Sequence, residues 1–290
     1  MKKLILHSWL LLVATISINA QQNNFPKLTG PYFGQKPPGM KPEIFAAEII
    51  SSRDFIEAEC TWSPDLKEFY FSRSETMESE WSANFSIWYT QELNGVWTKP
   101  RVAPFSGVYR DFYPFMSRDG NYMIFYRMSN VKNKTQKGSW ISERKVKGWS
   151  EPKFFVDAYC LNTNDFKTFY FTTENDDNRS RDIGVMQYEN GVFSEAKKIK
   201  GDLNTKEYEA HGVISPNGDY ILFNRSKKST FVSFRQDDGT WGQGLTLNAS
   251  YFLPAFSPDG KYIFFKKERD IYWVSTEIIE MLRSKELKNK

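Results

Sequence analysis

Phe256-Ser257-Pro258-Asp259-Gly260-Lys261-Tyr262-Ile263-Phe264-Phe265 is a tight turn running into an aromatic strand. Pro, Asp and Gly in that order suit a turn, because Pro fixes φ, Asp bonds its own backbone and Gly accepts positive φ. Four other stretches repeat the phrase: WSPDLKEFYF (62–71), MSRDGNYMIFY (116–126), NTNDFKTFYF (162–171) and ISPNGDYILF (214–223). Their turn residues, Asp65, Asp119, Asp165, Asn217 and Asp259, are separated by 54, 46, 52 and 42 residues. A period in that range, built from short strands, predicts an all-β fold, a single β-propeller.

Within each repeat the sequence predicts four strands. In the first they fall near 57–62, 68–73, 86–93 and 96–103, the last two joined at Asn94-Gly95, a two-residue hairpin signal. Asn190-Gly191 does the same in the third repeat. The fifth repeat has no outer strand of its own, and PEIFAAEII (42–50) stands spare at the other end of the chain. Pairing the two closes a ring of five four-stranded blades and removes its free edges. TEIIEMLRSKEL after the last strand reads as a short C-terminal helix with Thr276 as N-cap.

The expected segments are 1–20 as a secretory signal, 21–41 as a Pro/Gly-rich extended arm, 42–277 as the propeller and 278–290 as helix and tail. Lys2 and Lys3, the apolar stretch that follows and the small residues near Ala20 fit an export signal, one too short to span a membrane. The mature protein is then secreted or periplasmic, with no membrane span. The first cysteine is Cys60, so no lipid anchor is expected. Removing residues 1–20 leaves 37 basic against 35 acidic side chains with no basic block, which speaks against nucleic acid as a partner. Cys60 and Cys160 fall on inner strands of non-adjacent blades, too far apart for a disulfide, and are expected as buried free thiols. Outside the signal the one histidine is His211, so no multi-histidine metal site is possible, and no cofactor motif appears.

The Ser-Pro-Asp-Gly-Lys turn at 257–261, with near copies at 63–67 and 215–219, resembles the TolB-like, WD-like propeller repeat of exported bacterial proteins. That resemblance covers roughly 42–277 and implies a propeller scaffold, export and often a binding role, with no fixed catalytic set.

Counting back from each turn residue gives a candidate site. Eight residues back lie Glu57, Asp111, Asp157, Glu209 and Tyr251; six back lie Glu59, Tyr113, Tyr159, His211 and Leu253. On one side of a plain strand these would ring the funnel mouth, at the face where the inner strands start. Counting eight forward gives Arg73, Arg127, Thr173, Arg225 and Lys267. Glu57–Arg73, Asp111–Arg127 and Glu209–Arg225 are then cross-strand charge pairs, ordinary sheet stabilisers. Asp157 and Lys267 break that pattern. Together with Glu59, His211, Arg110 and Trp81 they are the ligand-binding candidates. ENDD (174–177) is a weak calcium candidate.

Two functions compete. One is an exported binding propeller that recognises a glycan or an envelope protein. The other is a carbohydrate-active enzyme: a glycoside hydrolase or polysaccharide lyase using Asp111, Asp157, Glu209, His211, Tyr113 or Tyr159. A third reading docks the arm and the basic helix onto an envelope partner.

Overall fold

The computed structural model describes residues 25–75, 84–131, 134–173, 180–226, 229–248 and 252–288. The segment read as an export signal, Trp81, Tyr251 and 174–177 lie outside them.

Five antiparallel sheets form the five blades of one propeller. The inner strands are Ile56–Trp62, Arg110–Met116, Tyr159–Thr163, Glu209–Ile214 and Phe252–Phe256. Each is followed by the repeated turn and a second strand: Glu68–Ser74, Tyr122–Val131, Thr168–Thr172, Tyr220–Arg225 and Tyr262–Lys267. The turn chemistry explains the repeat. Ser63, Ser117 and Ser257 Oγ donate to Asp65, Asp119 and Asp259 at 2.6, 2.6 and 2.7 Å. Each Asp oxygen also accepts a backbone N–H two residues on. The third repeat lacks Ser and Pro, yet Thr163 supplies the same hydroxyl to Asp165. In the fourth, Ser215 turns instead to Asp219, two residues beyond Asn217.

Outer strands in blades one to three are split, as Val96–Trp97 with Arg101–Val102 in the first. Pro100 and Pro152 interrupt two of them, having no N–H to donate. The hydroxyls of Thr98, Ser150 and Ser194 accept N–H groups of the adjacent third strands at these breaks.

The ring closes as the missing outer strand requires: Glu43 and Ile44 pair with Trp273 and Tyr272. The closing strand is shorter than 42–50. After Ile44 the chain turns left-handed at Ala46 and Glu48, and the N–H groups of Ile49 and Ile50 bond back to the Ala46 carbonyl. Phe45, fully buried, packs on Trp62, Phe69, Phe264 and Trp273 from blades one and five. The Pro/Gly-rich stretch does more than cover the surface. Tyr32 and Phe33 sit in the same cluster, each with positive φ, and the Tyr32 hydroxyl donates to Asp259 at 3.2 Å.

The helix runs Glu277–Lys288. Ile279 is fully buried against blades four and five, and Arg283 Nη2 holds Asp219 at 2.7 Å. The Thr276 hydroxyl donates to the Gly260 carbonyl rather than accepting from the first turn; Ser275 Oγ accepts the Glu277 N–H instead. Among the described residues no helix is long and apolar enough to cross a membrane.

Candidate functional site

Each inner strand carries a β-bulge half-way along. The registers slip between Glu57 and Cys60, Phe112 and Phe115, Tyr159 and Asn162, Ala210 and Val213, and Phe252 and Ala255. In four of the five, the bulge holds a side-chain-bearing residue at positive φ: Tyr113 (55°), Cys160 (57°), His211 (54°) and Leu253 (56°). Such geometry costs on the order of 1–3 kcal/mol per residue and persists only where the surroundings impose it. Here neighbouring blades impose it. Bulged strands leave N–H groups without a ladder partner, and side chains of the preceding blade accept them. Thr61 takes the Met116 N–H, Asn162 that of Ile214, Thr172 that of His211 and Asn224 that of Leu253, at 2.9–3.1 Å.

Below the bulge level, towards the repeated turns, the centre of the ring is hollow. A cavity of about 290 Å³ has Glu59, Tyr113, Cys160, His211 and Leu253 at its floor. Trp62, Met116, Ile214 and Phe256 contribute to its walls, and Pro64, Asn164, Pro216 and Pro258 stand at the turn level. Arg118, also at that level, donates to the Pro216 carbonyl and bridges blades two and four.

The opposite end of the channel, where the inner strands begin, is filled. Ile56, Phe112, Tyr126, Leu253 and Tyr159 pack together there. Tyr159 donates to the Tyr113 hydroxyl at 2.8 Å and meets Tyr126 edge-on at 4.9 Å. Among the described residues the hollow therefore lies on the turn side, not the strand-start side that counting along plain strands suggests. The bulge is the reason: it separates the residues eight back from those six back and sends them to different surroundings.

Three of those eight back are tied down. Arg73 Nε reaches Glu57 at 3.0 Å, Arg127 reaches Asp111 at 2.7 Å and Arg225 reaches Glu209 at 2.7 Å. The same three guanidinium groups donate to the carbonyls of Ile50, Phe105 and Leu203. Each also lies over aromatic rings, Arg73 over Phe55 at 4.4 Å for instance. Ser106 and Thr205 hydroxyls complete the Asp111 and Glu209 shells. None of these carboxylates lines the cavity. Burial lifts Glu57 to about 7 against the pull of Arg73, and pushes Asp111 upward against Arg127.

Of the remaining candidates, Asp157 is exposed before the third inner strand and away from the cavity. Blade three has one residue fewer between bulge and turn hydroxyl, so Cys160 takes the bulge position and Tyr159 falls into the plug. Lys267 stands opposite Asp270 in its own hairpin, its Nζ 5.6 Å from the Tyr272 ring. Arg110 covers Phe112 at 5.1 Å with Nη1 3.8 Å from Met128 Sδ. Cys60 and Cys160 are both buried and unbridged, as expected, and burial pushes both thiols up, away from the reactive thiolate.

Two floor residues keep unused polar atoms. Glu59 Oε2 is buried and makes no hydrogen bond among the described residues. Burial raises this carboxyl above the usual range, opposed by the nearby Ser72 hydroxyl, Lys266 and the Tyr113 N–H. His211 is pushed down to about 4, first by burial and then by Arg181, with the Asn224 hydrogen bond opposing. Lys266, fully buried beside this floor, places Nζ 5.0 Å from the Phe252 ring; counting by eight lands on its exposed-side neighbour instead. Among the described residues no group of three His, Cys, Asp or Glu is placed to hold a metal ion.

No protein-family model matches the chain, and no curated protein does. Among solved structures it is similar to a gluconolactonase of Xanthomonas campestris (TM-score 0.47, 10% identity, 86% of this chain and 97% of that one). It is also similar to a periplasmic gluconolactonase of Pseudomonas aeruginosa (TM-score 0.41, 9% identity, 72% and 78%). A third is a β-propeller domain from Myceliophteria thermophila (TM-score 0.43, 8% identity, 75% and 64%).

Proposed function

We propose that this protein is a binding propeller, exported if residues 1–20 act as its leader, that seats a small molecule or one protruding unit of a larger ligand in the turn-side funnel. One observation carries the reading: among the described residues Glu59 is the single carboxylate lining the funnel, whereas Glu57, Asp111 and Glu209 are each held by an arginine outside it. Hydrolysis of a glycosidic bond normally takes two carboxyl groups roughly 5–10 Å apart across the bond. A lone carboxyl in an apolar recess instead fits a ligand site, in which few polar groups orient a mostly apolar contact.

The test is a panel of mono- and oligosaccharides and small fragments, scored separately for binding by calorimetry and for product by mass spectrometry. Binding without product, abolished by Ala255→Trp at a small, half-buried position of the funnel wall, is the expected result. Product formation that Glu59→Gln abolishes would replace this reading with catalysis.

A further inference from the structure

His211 is presented to the funnel in one fixed tautomer. Its Nδ1 lies 3.1 Å from Asn224 Oδ1. The Asn224 amide cannot be turned over, because Oδ1 also accepts the Leu253 N–H at 2.9 Å while Nδ2 donates to the Ser229 carbonyl and Thr230 Oγ1, both at 3.2 Å. Nδ1 must therefore carry the proton, which leaves the Nε2 lone pair as an acceptor without a donor among the described residues. The ring is held in place by stacking on Tyr113 (5.6 Å, 17°) and by Tyr159 at 5.8 Å, while the His211 backbone N–H donates to Thr172 Oγ1. Glu59 Oε2 is the other unused polar atom on that floor.

We propose that the funnel takes an uncharged head group, a hydroxyl or a carboxamide on an apolar body, whose O–H or N–H donates to His211 Nε2 and whose oxygen meets the Glu59 carboxyl. This rests on the binding reading above. A cationic head would meet Lys266 behind Glu59, Arg181 beside Tyr159, and Arg118 at the mouth. An anionic head would face the Nε2 lone pair and the Glu59 carboxyl. The Tyr113 phenol and the Cys60 and Cys160 thiols, which also line the described part of the funnel, are held neutral by burial.

The experiment uses the full chain labelled with ¹⁵N and four matched probes: benzyl alcohol, benzamide, benzylammonium and benzoate. His7 and His211 are the chain's two histidines, so imidazole spectra are simple to assign. His211 should appear as the Nδ1–H tautomer, and benzyl alcohol or benzamide should shift Nε2 far more than Nδ1. His211→Phe should weaken both neutral probes at least tenfold, and Ala255→Trp should abolish their binding. An Nε2–H tautomer, or funnel binding of benzylammonium or benzoate tighter than the neutral pair, overturns this inference and leaves the binding reading standing. If no probe binds in a manner that Ala255→Trp removes, the binding reading itself falls. The tautomer is read on the unaltered chain, so a poorly folding variant cannot blur the outcome.

Discussion

Glu57 and Glu59 sit two residues apart on one strand, and on a regular strand they would share a face. Glu57 is gripped by Arg73, which also holds the Ile50 carbonyl; Glu59 ends in a buried oxygen with no hydrogen bond, facing a hollow. The same contrast separates Asp111 from Tyr113 and Glu209 from His211. In blades one, two and four, one set of positions fastens the inner strand to the loop before it. The other is free of that duty, so its residue types, Glu, Tyr, Cys, His and Leu, differ from blade to blade while the backbone hardly changes. Positions that a repeat does not need for folding are where it can specialise.

The largest effect should come from breaking the fastening set. Arg73→Ala leaves Glu57 buried without its cation and should cost roughly 3–5 kcal/mol in urea unfolding. A loss below about 1 kcal/mol would mean that Glu57 is no more structural than Glu59. The pair's net contribution is a separate matter, since an apolar pair of the same volume could serve as well.

Next in size is the acid response of His211. Its value in an unfolded chain is near 6.5, and in the fold about 4, so the unfolded chain takes up the proton first as pH falls. Its stabilising contribution is therefore complete above about 6.5 and is lost progressively between 6.5 and 4. The full loss is on the order of 3 kcal/mol. His211→Asn should remove that part of the pH profile. A profile unchanged by the substitution would show that the ring is not buried in neutral form.

The ring of five blades could be read from the sequence because turn chemistry is local: a Ser or Thr hydroxyl, an Asp carboxylate and a following amide lie within a few residues of one another. The charge pairs could be read because the hairpin register runs unbroken from turn to bulge and then slips by one, leaving residues eight back and eight forward opposed. The side of the funnel could not. A bulge is set by which N–H groups the neighbouring blade can accept, through Thr61, Asn162, Thr172 and Asn224, and no residue near Tyr113 or His211 announces that contact. Asn224 belongs to a second strand and meets His211 from 13 residues away. Only its place opposite a bulge marks it, so counting from the turns passes over it. Blade three adds a shift of one residue, which moves Cys160 into the place assigned to Tyr159.

Glu59→Gln should have a smaller effect, of opposite sign to Arg73→Ala. Burial raises the Glu59 carboxyl, so its contribution to stability is complete below the unfolded value near 4.5 and is lost as pH climbs. The Gln variant should thus match the unaltered chain at low pH and exceed it at pH 8. Equal stabilities across that range would show that Glu59 is ionised without cost and is compensated within the fold, which would return it to the fastening set.

Asp157 should give the smallest effect, and it bears on the comparison most directly. It is the blade-three counterpart of Glu57 by simple counting, yet no arginine stands at the matching position, where Thr173 occurs, and the side chain is exposed. Blade three instead takes its bulge one residue closer to the turn, and the Tyr159–Tyr113 hydroxyl contact occupies the end of the channel nearest this strand. Asp157→Asn should therefore change stability by no more than about 0.5 kcal/mol, as an exposed substitution does, and leave funnel binding untouched. Measured beside Arg73→Ala it gives the range of the fastening role. A loss above 1 kcal/mol would mean that blade three is held by a carboxylate after all, and that exposure alone does not separate the two sets.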